Sequence, residues 1–499
     1  MKRFFLERLD DWLKEPNRKP LVLSGARQVG KTWLLKEFGR TRFDSVAYVN
    51  FDKNASAKAL FGGEFRRKDM LSDLETFCGT RIVPGRTLVF FDEIQLCPDA
   101  IRSLKYWQEE APDHVVVSAG SLIGLALLEG TGWPVGKTRS MTLRPLSFRE
   151  FLCAVGEEPL SDLVAEGDAR RFDAFSERLV RRLKEYLCVG GMPAAVAAFA
   201  ETGSHAAARA QQRDILSDYA RDFGKHAPKA LVPRIRALWK SLPLQLAKED
   251  KRFVSAEVPV PGGGKSRARD LRDAFEWLEA AGVAHRVWNV SKPDVPLDAY
   301  RNHVFKLFGV DVGLLAAQSG LAARTILDGS RVFTEFKGAL TEQFVQQELR
   351  AAADAEPFYW TTPDSRTEVD FLVELSGLVV PVEAKAACNL RAKSLKSYRE
   401  RFAPPLSVRT SLAGLRREAD GLVNLPLFAV SRLPALAAET AEAAGLDSHA
   451  ENTEPSHPSA PRGRGKAAAR RGAAFPKSPP RRIQHSAFSI QPRPRPLPQ

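Results

Sequence analysis

Eight consecutive residues carry the plainest chemistry in the chain. Gly25-Ala26-Arg27-Gln28-Val29-Gly30-Lys31-Thr32 fits the pattern G-x-x-x-x-G-K-[ST]. Glycines let a backbone curl until successive N–H groups point inward at an anion. In such a loop Lys31 reaches the β- and γ-phosphates of ATP, and the Thr32 hydroxyl holds Mg²⁺. The flanks suit this use. Residues 20–23 (PLVL) read as a short buried strand, and residues 33–38 (WLLKEF) predict a helix closed by Gly39. The start of that helix adds its partial positive charge to the site. The expected nucleotide-contacting set therefore runs from Gly25 to Trp33. Two near-copies, 131–138 (TGWPVGKT) and 259–266 (PVPGGGKS), lack the first glycine. Neither follows a strand, and both predict loops without nucleotide.

A second constellation follows. The apolar run 88–91 (LVFF) delivers Asp92 and Glu93 at its C-terminal end, the end where open α/β sheets bind ligands. Asp92 is expected to hold Mg²⁺, directly or through water, and Glu93 to polarise the attacking water. Alone, an apolar run ending in two acids is common; beside the loop at 25–32 it is the expected partner. After the next strand comes Ser118-Ala119-Gly120-Ser121. The Ser121 hydroxyl is a candidate contact for the γ-phosphate or the lytic water, and a plain Ser/Gly turn is the other reading.

A third set lies far along the chain. Glu342 falls on a predicted helix, 333–352. Asp370 falls on the strand 368–374 (EVDFLVE), and Glu383 and Lys385 on the strand 379–385 (VVPVEAK), with a turn near Ser376-Gly377 between. Period-two spacing puts Glu383 and Lys385 on one face. An acid followed by acid-x-lysine suits phosphodiester hydrolysis. Asp370 and Glu383 would share Mg²⁺, Glu342 would add a ligand, and Lys385 would orient water. The same E-x-K spacing also describes a solvated strand edge, and Ala386-Ala387 is blander than the small polar residues usual after such a lysine.

These residues need elements to position them. The chain has 499 residues, 44% hydrophobic and 27% charged, enough for two to four domains. Up to about residue 155, strand-like runs at 20–23, 46–51, 88–91 and 115–118 alternate with helical patterns. Their continuous apolar character predicts a parallel sheet covered on both faces, an α/β nucleotide-binding domain. Residues 156–330 read as mainly helical. Helices 231–246 and 268–281 precede a strand at 282–290, and Lys265, Arg267, Arg269 and Arg272 lie at the entry. Helix, helix, strand with basic residues is the look of a winged helix that meets DNA phosphates; a helical linker with a solvated charged face is the alternative. Residues 331–430 predict a small α/β unit. From 431 the chain is Ala-rich and then Pro/Ser/Gly/Arg-rich, a composition that predicts a disordered tail.

The formal charge is +14 with a pI near 9.6, which favours polyanionic partners. Roughly half of the excess sits from Glu451 onward, where 10 Lys/Arg face 2 acids. Five cysteines without a C-x-x-C pair suit a reducing cytoplasm and offer no zinc site. No run of about 18 apolar residues predicts a membrane span.

The stretches 21–32, Phe91-Asp92-Glu93-Ile94-Gln95, Ala119-Gly120-Ser121-Leu122, 134–137 (PVGK), 145–152 (PLSFREFL), 186–193 (YLCVGGMP) and 219–226 (YARDFGKH) resemble a AAA-type ATPase group widespread in bacteria and archaea. The resemblance covers about 430 residues. It implies a P-loop ATPase domain, then a C-terminal domain of unknown function that combines a winged helix with a restriction-endonuclease-like fold. Three functions follow as expectations. The first is an ATP-binding and ATP-hydrolysing protein acting on or near DNA, the second an ATP-regulated Mg²⁺-dependent nuclease, and the third a non-catalytic ATP-switched adaptor. A homo-oligomer is a further expectation; no arginine acting in trans is identifiable from sequence, and Arg139 and Arg144 are only candidates for one.

Overall fold

In the N-terminal part, β1 (Leu21–Ser24), β2 (Ser45–Asn50), β3 (Thr87–Asp92), β4 (Val115–Ala119) and β5 (Arg139–Thr142) form one sheet in the order β2-β3-β4-β1-β5. Every neighbouring pair runs parallel. The helices Lys31–Arg42, Arg67–Cys78 and Pro98–Glu110 connect successive strands. The alternation of side chains along each strand feeds two apolar cores. Leu21, Leu23, Leu88, Phe90, Val115 and Val117 pack with Leu34, Leu35 and Phe38. Val22, Val89, Phe91 and Val116 pack with Ile101, Leu104 and Trp107 on the other side. This two-sided burial is why the runs read as unbroken apolar stretches. The computed structural model describes residues 1–62, 67–121, 123–124, 133–259, 264–328, 334–364, 367–386 and 392–445.

One boundary expected from sequence is corrected. Gly39 does not close the helix after the phosphate loop, which continues to Arg42. A Cβ at Gly39 would stand 2.6 Å from Val46 Cγ2, so this glycine lets the helix lie close against β2.

The C-terminal part holds an eight-stranded sheet. Its strands are β6 (Ala284–Val290), β7 (Arg301–Gly309), β8 (Phe358–Thr361), β9 (Glu368–Leu375), β10 (Leu378–Ala384), β11 (Ser407–Ser411), β12 (Arg416–Arg417) and β13 (Leu422–Pro426). They are ordered β12-β13-β11-β10-β9-β8-β6-β7. β6 and β7 pair antiparallel, and β6 joins β8 through Asn289↔Tyr359 and Val290↔Trp360. The strand after helix Ala268–Ala280 thus enters the sheet of the C-terminal α/β unit, across the division at 330 drawn from sequence. The helices Ala169–Val189, Pro193–Thr202, His205–His226 and Val232–Leu246 lie between the two sheets in sequence, and Thr334–Ala353 lies between β7 and β8. No described helix is long and apolar enough to cross a membrane.

The tail drawn from 431 begins too early. Residues Leu433–Ala443 form a helix with Leu433, Leu436, Ala437 and Ala441 buried. Its spacing of i, i+3, i+4, i+8 is an amphipathic stripe that the Ala-rich composition masks. The expectation of a disordered tail beyond 445 lies outside the described residues. Ending the chain after Gly445 should leave the melting temperature unchanged. Ending it after Arg432 should cost about 3–6 kcal/mol, since two leucines alone lose burial of about 1.5–3 kcal/mol each. Thermal and urea melts of the two truncations measure the difference.

Candidate functional site

The loop Gly25–Thr32 curls at the C-terminal end of β1, with positive φ at Gly25 (140°), Gln28 (68°) and Gly30 (96°). A Cβ at Gly25 would lie 2.3 Å from the Leu143 carbonyl oxygen, so no larger residue fits there. The loop's carbonyls are tied down from several directions. Val29 O accepts from Arg3 Nη1 at 3.0 Å, and Arg3 is itself held by Glu150 Oε1 at 3.1 Å. Arg27 O accepts from Tyr219 Oη at 2.9 Å. Gly25 O and Ala26 O both accept from Lys31 Nζ at 2.8 Å. The side chains of Arg27 and Gln28 reach helix His205–His226, Arg27 pairing with Asp222 and Gln28 Nε2 donating to Asp218 Oδ2 at 2.7 Å. Burial of Lys31 lowers its pKa to about 8, against the opposing pull of Glu93 and Asp92. Trp33, in the first turn of the helix, is exposed.

Behind the loop, β3 delivers Asp92 into a ring of donors. Thr32 Oγ1 lies 3.1 Å from both carboxylate oxygens, and Tyr48 Oη and Asn50 Nδ2 donate to Oδ2 at 2.8 and 3.1 Å. Thr32 and Asp92 are a hard-oxygen pair that fits Mg²⁺. Glu93 turns out of the strand with φ 52°, and its Oε2 accepts from Gln95 Nε2 at 2.6 Å and from Ser121 Oγ at 3.4 Å. β4 lies between β1 and β3, which carries residues 118–121 to the gap between loop and acids. Ser118 is spent on structure, donating to Leu21 O at 3.1 Å. The fold thus brings Lys31, Thr32, Asp92, Glu93 and Ser121 together.

Sequence reading missed several members. Gln95 was visible two residues after Glu93 but had no assigned role. Gly120 makes space for it, since a Cβ there would meet Gln95 Oε1 at 2.1 Å. Tyr48, Asn50 and Arg3 carry no local signal. Of the candidate trans arginines, Arg144 is nearly buried and faces Asp354 and Glu356 at 3.4 and 3.9 Å, whereas Arg139 is mostly exposed.

The third set also converges, with additions. Lys385 Nζ lies 2.5 Å from Glu383 Oε1, and Asp370 Oδ2 accepts from Ala384 N at 2.8 Å. Lys306, fully buried on β7, places Nζ 2.5 Å from Glu368 Oε1, 3.2 Å from Glu342 Oε2 and 3.9 Å from Asp370 Oδ1. Lys251 Nζ takes the other Glu342 oxygen at 2.8 Å. Burial, reinforced by Glu342 and Glu383, holds the Asp370 carboxyl well above its ordinary range. Burial likewise raises Glu383, though Lys385 opposes it. At Glu342 burial is outweighed by Lys306 and Lys251, and its carboxyl is held low. Of the carboxylates expected to hold Mg²⁺, Glu342 thus meets Lys306 and Lys251 and Glu383 meets Lys385 through Oε1, while Glu383 Oε2 has no hydrogen-bond partner and Asp370 stands 3.9 Å from Lys306. Among the described residues no group of three His, Cys, Asp or Glu has metal-holding geometry.

Comparison with known proteins agrees with this architecture. An AAA domain family matches residues 17–152. Two families described as domains of unknown function, DUF8612 and DUF4143, match residues 180–325 and 337–428. No curated protein matches the chain. Among solved structures, a Walker-type ATPase of Pyrococcus abyssi is similar at 14% identity and TM-score 0.39, over 63% of this chain and 94% of that one. The Aeropyrum pernix ORC1 protein in complex with DNA is similar at 16% identity and TM-score 0.23, over 63% and 91%. Neither is near enough in shape to bear on function. The chain thus carries an AAA domain with a P-loop, followed by two domains of unknown function.

Proposed function

We propose that this protein binds and hydrolyses ATP in the cytoplasm and acts on or near DNA. The observation that carries hydrolysis is Glu93, held beside the phosphate loop by Gln95 and Ser121. In this reading the inward N–H groups of residues 28–32 and the helix start bind the phosphates. Lys31 leaves the Gly25 and Ala26 carbonyls for the β- and γ-phosphate oxygens. Thr32 and Asp92 would hold Mg²⁺, which would supply positive charge against the phosphates. Glu93 takes the proton of the attacking water, and Gln95 fixes the carboxylate that accepts it. Lysines pair with Glu342, Glu368 and Glu383 of the C-terminal centre, which favours an ATP-switched adaptor over a nuclease as the second reading. Turnover separates the two: an adaptor holds ATP without hydrolysing it.

Lys31→Ala should abolish tight ATP binding. Glu93→Gln should retain bound ATP while turnover falls at least about 100-fold, the usual worth of a general base. Single-turnover assays on both folded variants test this, and wild-type turnover in either would overturn the hydrolytic assignment.

The state of Lys31 adds a pH dependence. Its pKa of about 8 without nucleotide rises once phosphate faces the amine. Binding then takes up a proton above pH 8, so affinity is level below that pH and falls above it. Between pH 7 and pH 9 the ATP Kd should rise about tenfold, one pKa unit of linkage. Calorimetric titration across that range checks it; a level profile to pH 9 would exclude Lys31 as the titrating group.

Support for DNA comes from the entry to helix Ala268–Ala280, where Lys265, Arg267, Arg269 and Arg272 are all exposed. Phosphate contacts release counterions, so affinity should fall steeply with salt. Charge reversal of Lys265, Arg267 and Arg269 together, in a chain ended at Gly445, should weaken duplex binding and flatten its salt slope. Fluorescence anisotropy at several salt concentrations measures both; unchanged affinity would remove this surface from the reading.

A further inference from the structure

The carboxylate centre of the C-terminal sheet contains more cations than its sequence pattern announces. Lys306 comes from β7, outside the acid and acid-x-lysine pattern, and its side chain is fully buried. Its ammonium touches Glu342 and Glu368 and stands 3.9 Å from Asp370. It also lies 5.0 Å from the centre of the Tyr359 ring, which lines its approach. Lys251 and Lys385 take one oxygen each of Glu342 and Glu383. Three lysines thus face four carboxylates in a largely buried space.

A divalent ion bridging these acids needs their oxygens about 2.0–2.6 Å away. An ion drawing on Glu342, Glu368 and Asp370 together would crowd the Lys306 ammonium, which already stands 3.2, 2.5 and 3.9 Å from an oxygen of each, and two cations so placed repel strongly. Lys306 has no exposed surface through which to withdraw. Yet the acids keep the capacity for a metal. Glu383 is buried and its Oε2 has no hydrogen-bond partner, and Asp370 projects into the same cluster from β9.

We propose that the Lys306 ammonium is the resident cation of this centre. It stands where a metal would bridge Glu342, Glu368 and Asp370, so the unit binds no Mg²⁺ or Mn²⁺. The buried charges instead tie β7 to helix Thr334–Ala353 and β9. Removing the amine leaves a latent divalent-cation site of hard oxygen ligands. Lys306 is a positioning residue here, and the centre does not cleave phosphodiesters. The inference stands apart from the ATPase reading, because the P-loop residues take no part in it.

Titration of Mn²⁺ into the full, nucleotide-free chain tests it, by calorimetry and by the electron paramagnetic resonance signal of free Mn²⁺. Wild type and Asp370→Asn should bind the same number of ions. Lys306→Ala should gain one bound Mn²⁺, lost again when combined with Asp370→Asn. Its lowered melting temperature should rise with added Mn²⁺ by more than that of the Lys306→Ala/Asp370→Asn double variant, a difference that a packing defect or an ion at Thr32 and Asp92 would not show. Lys306→Met, closer in volume, serves if the alanine variant does not fold. One more ion in wild type than in Asp370→Asn would overturn the resident-cation claim and needs no lysine variant. A folded Lys306 variant that gains no ion would overturn the latent site.

Discussion

A phosphate loop must offer its N–H groups to an anion, and this leaves its carbonyls in want of donors elsewhere. Much of the architecture around residues 25–30 answers that need. Arg3 supplies Val29, Tyr219 supplies Arg27, and Lys31 supplies Gly25 and Ala26. Arg3 in turn depends on Glu150, which also closes the capping box of helix Phe148–Ala154 with Ser147. The loop's shape therefore rests on residues before β1, after β5 and in the helix His205–His226. Donors to the loop's far side come from outside the sheet that carries it.

This arrangement links nucleotide chemistry to the rest of the molecule through short contacts. Gly282, in the turn between helix Ala268–Ala280 and β6, approaches so closely that a Cβ would lie 3.1 Å from Ala26 N. The Gly190-Gly191 turn is fixed by Asp311, whose Oδ2 accepts from Gly191 N at 2.6 Å and whose side chain also caps helix Val312–Gln318. Burial lifts the Asp311 pKa to about 6, while the N–H donors of Gly191 and Leu314 favour its charged form. Regions matched by separate families also meet through backbone donors that would be costly to bury unpaired: Leu146 N donates to Gly191 O at 2.7 Å, and Val312 N to Gln347 Oε1 at 2.9 Å.

The C-terminal centre shows the same physics with another outcome. Charges removed from water need partners, and a partner can be a metal or an ammonium. Here the sheet carries Lys306 to the acids from a strand that joins β6 rather than β9. An acid-x-lysine pattern on two neighbouring strands does not reveal a third strand's cation, so the pattern alone reads equally as a catalytic site or as a charge cluster.

Local signals made the N-terminal site legible. The glycine spacing of 25–32, the strand before it and the acids ending an apolar run are all contiguous, and parallel burial on both faces keeps those strands continuously apolar. The same logic found β9, β10 and helix Thr334–Ala353, whose periods are local. What sequence could not decide was pairing at a distance. Whether Gly39 stops a helix or admits a neighbouring strand depends on Val46. Whether β6 is the wing of a small domain or a strand of a larger sheet depends on its hydrogen bonds to β8. The role of Gln95 depends on the room left by Gly120, and the centre at Glu342, Asp370 and Glu383 on a lysine at least 36 residues away in sequence from any of them. Composition and period act along the chain, whereas the partner of a buried charge is chosen by what the folded chain brings within about 4 Å.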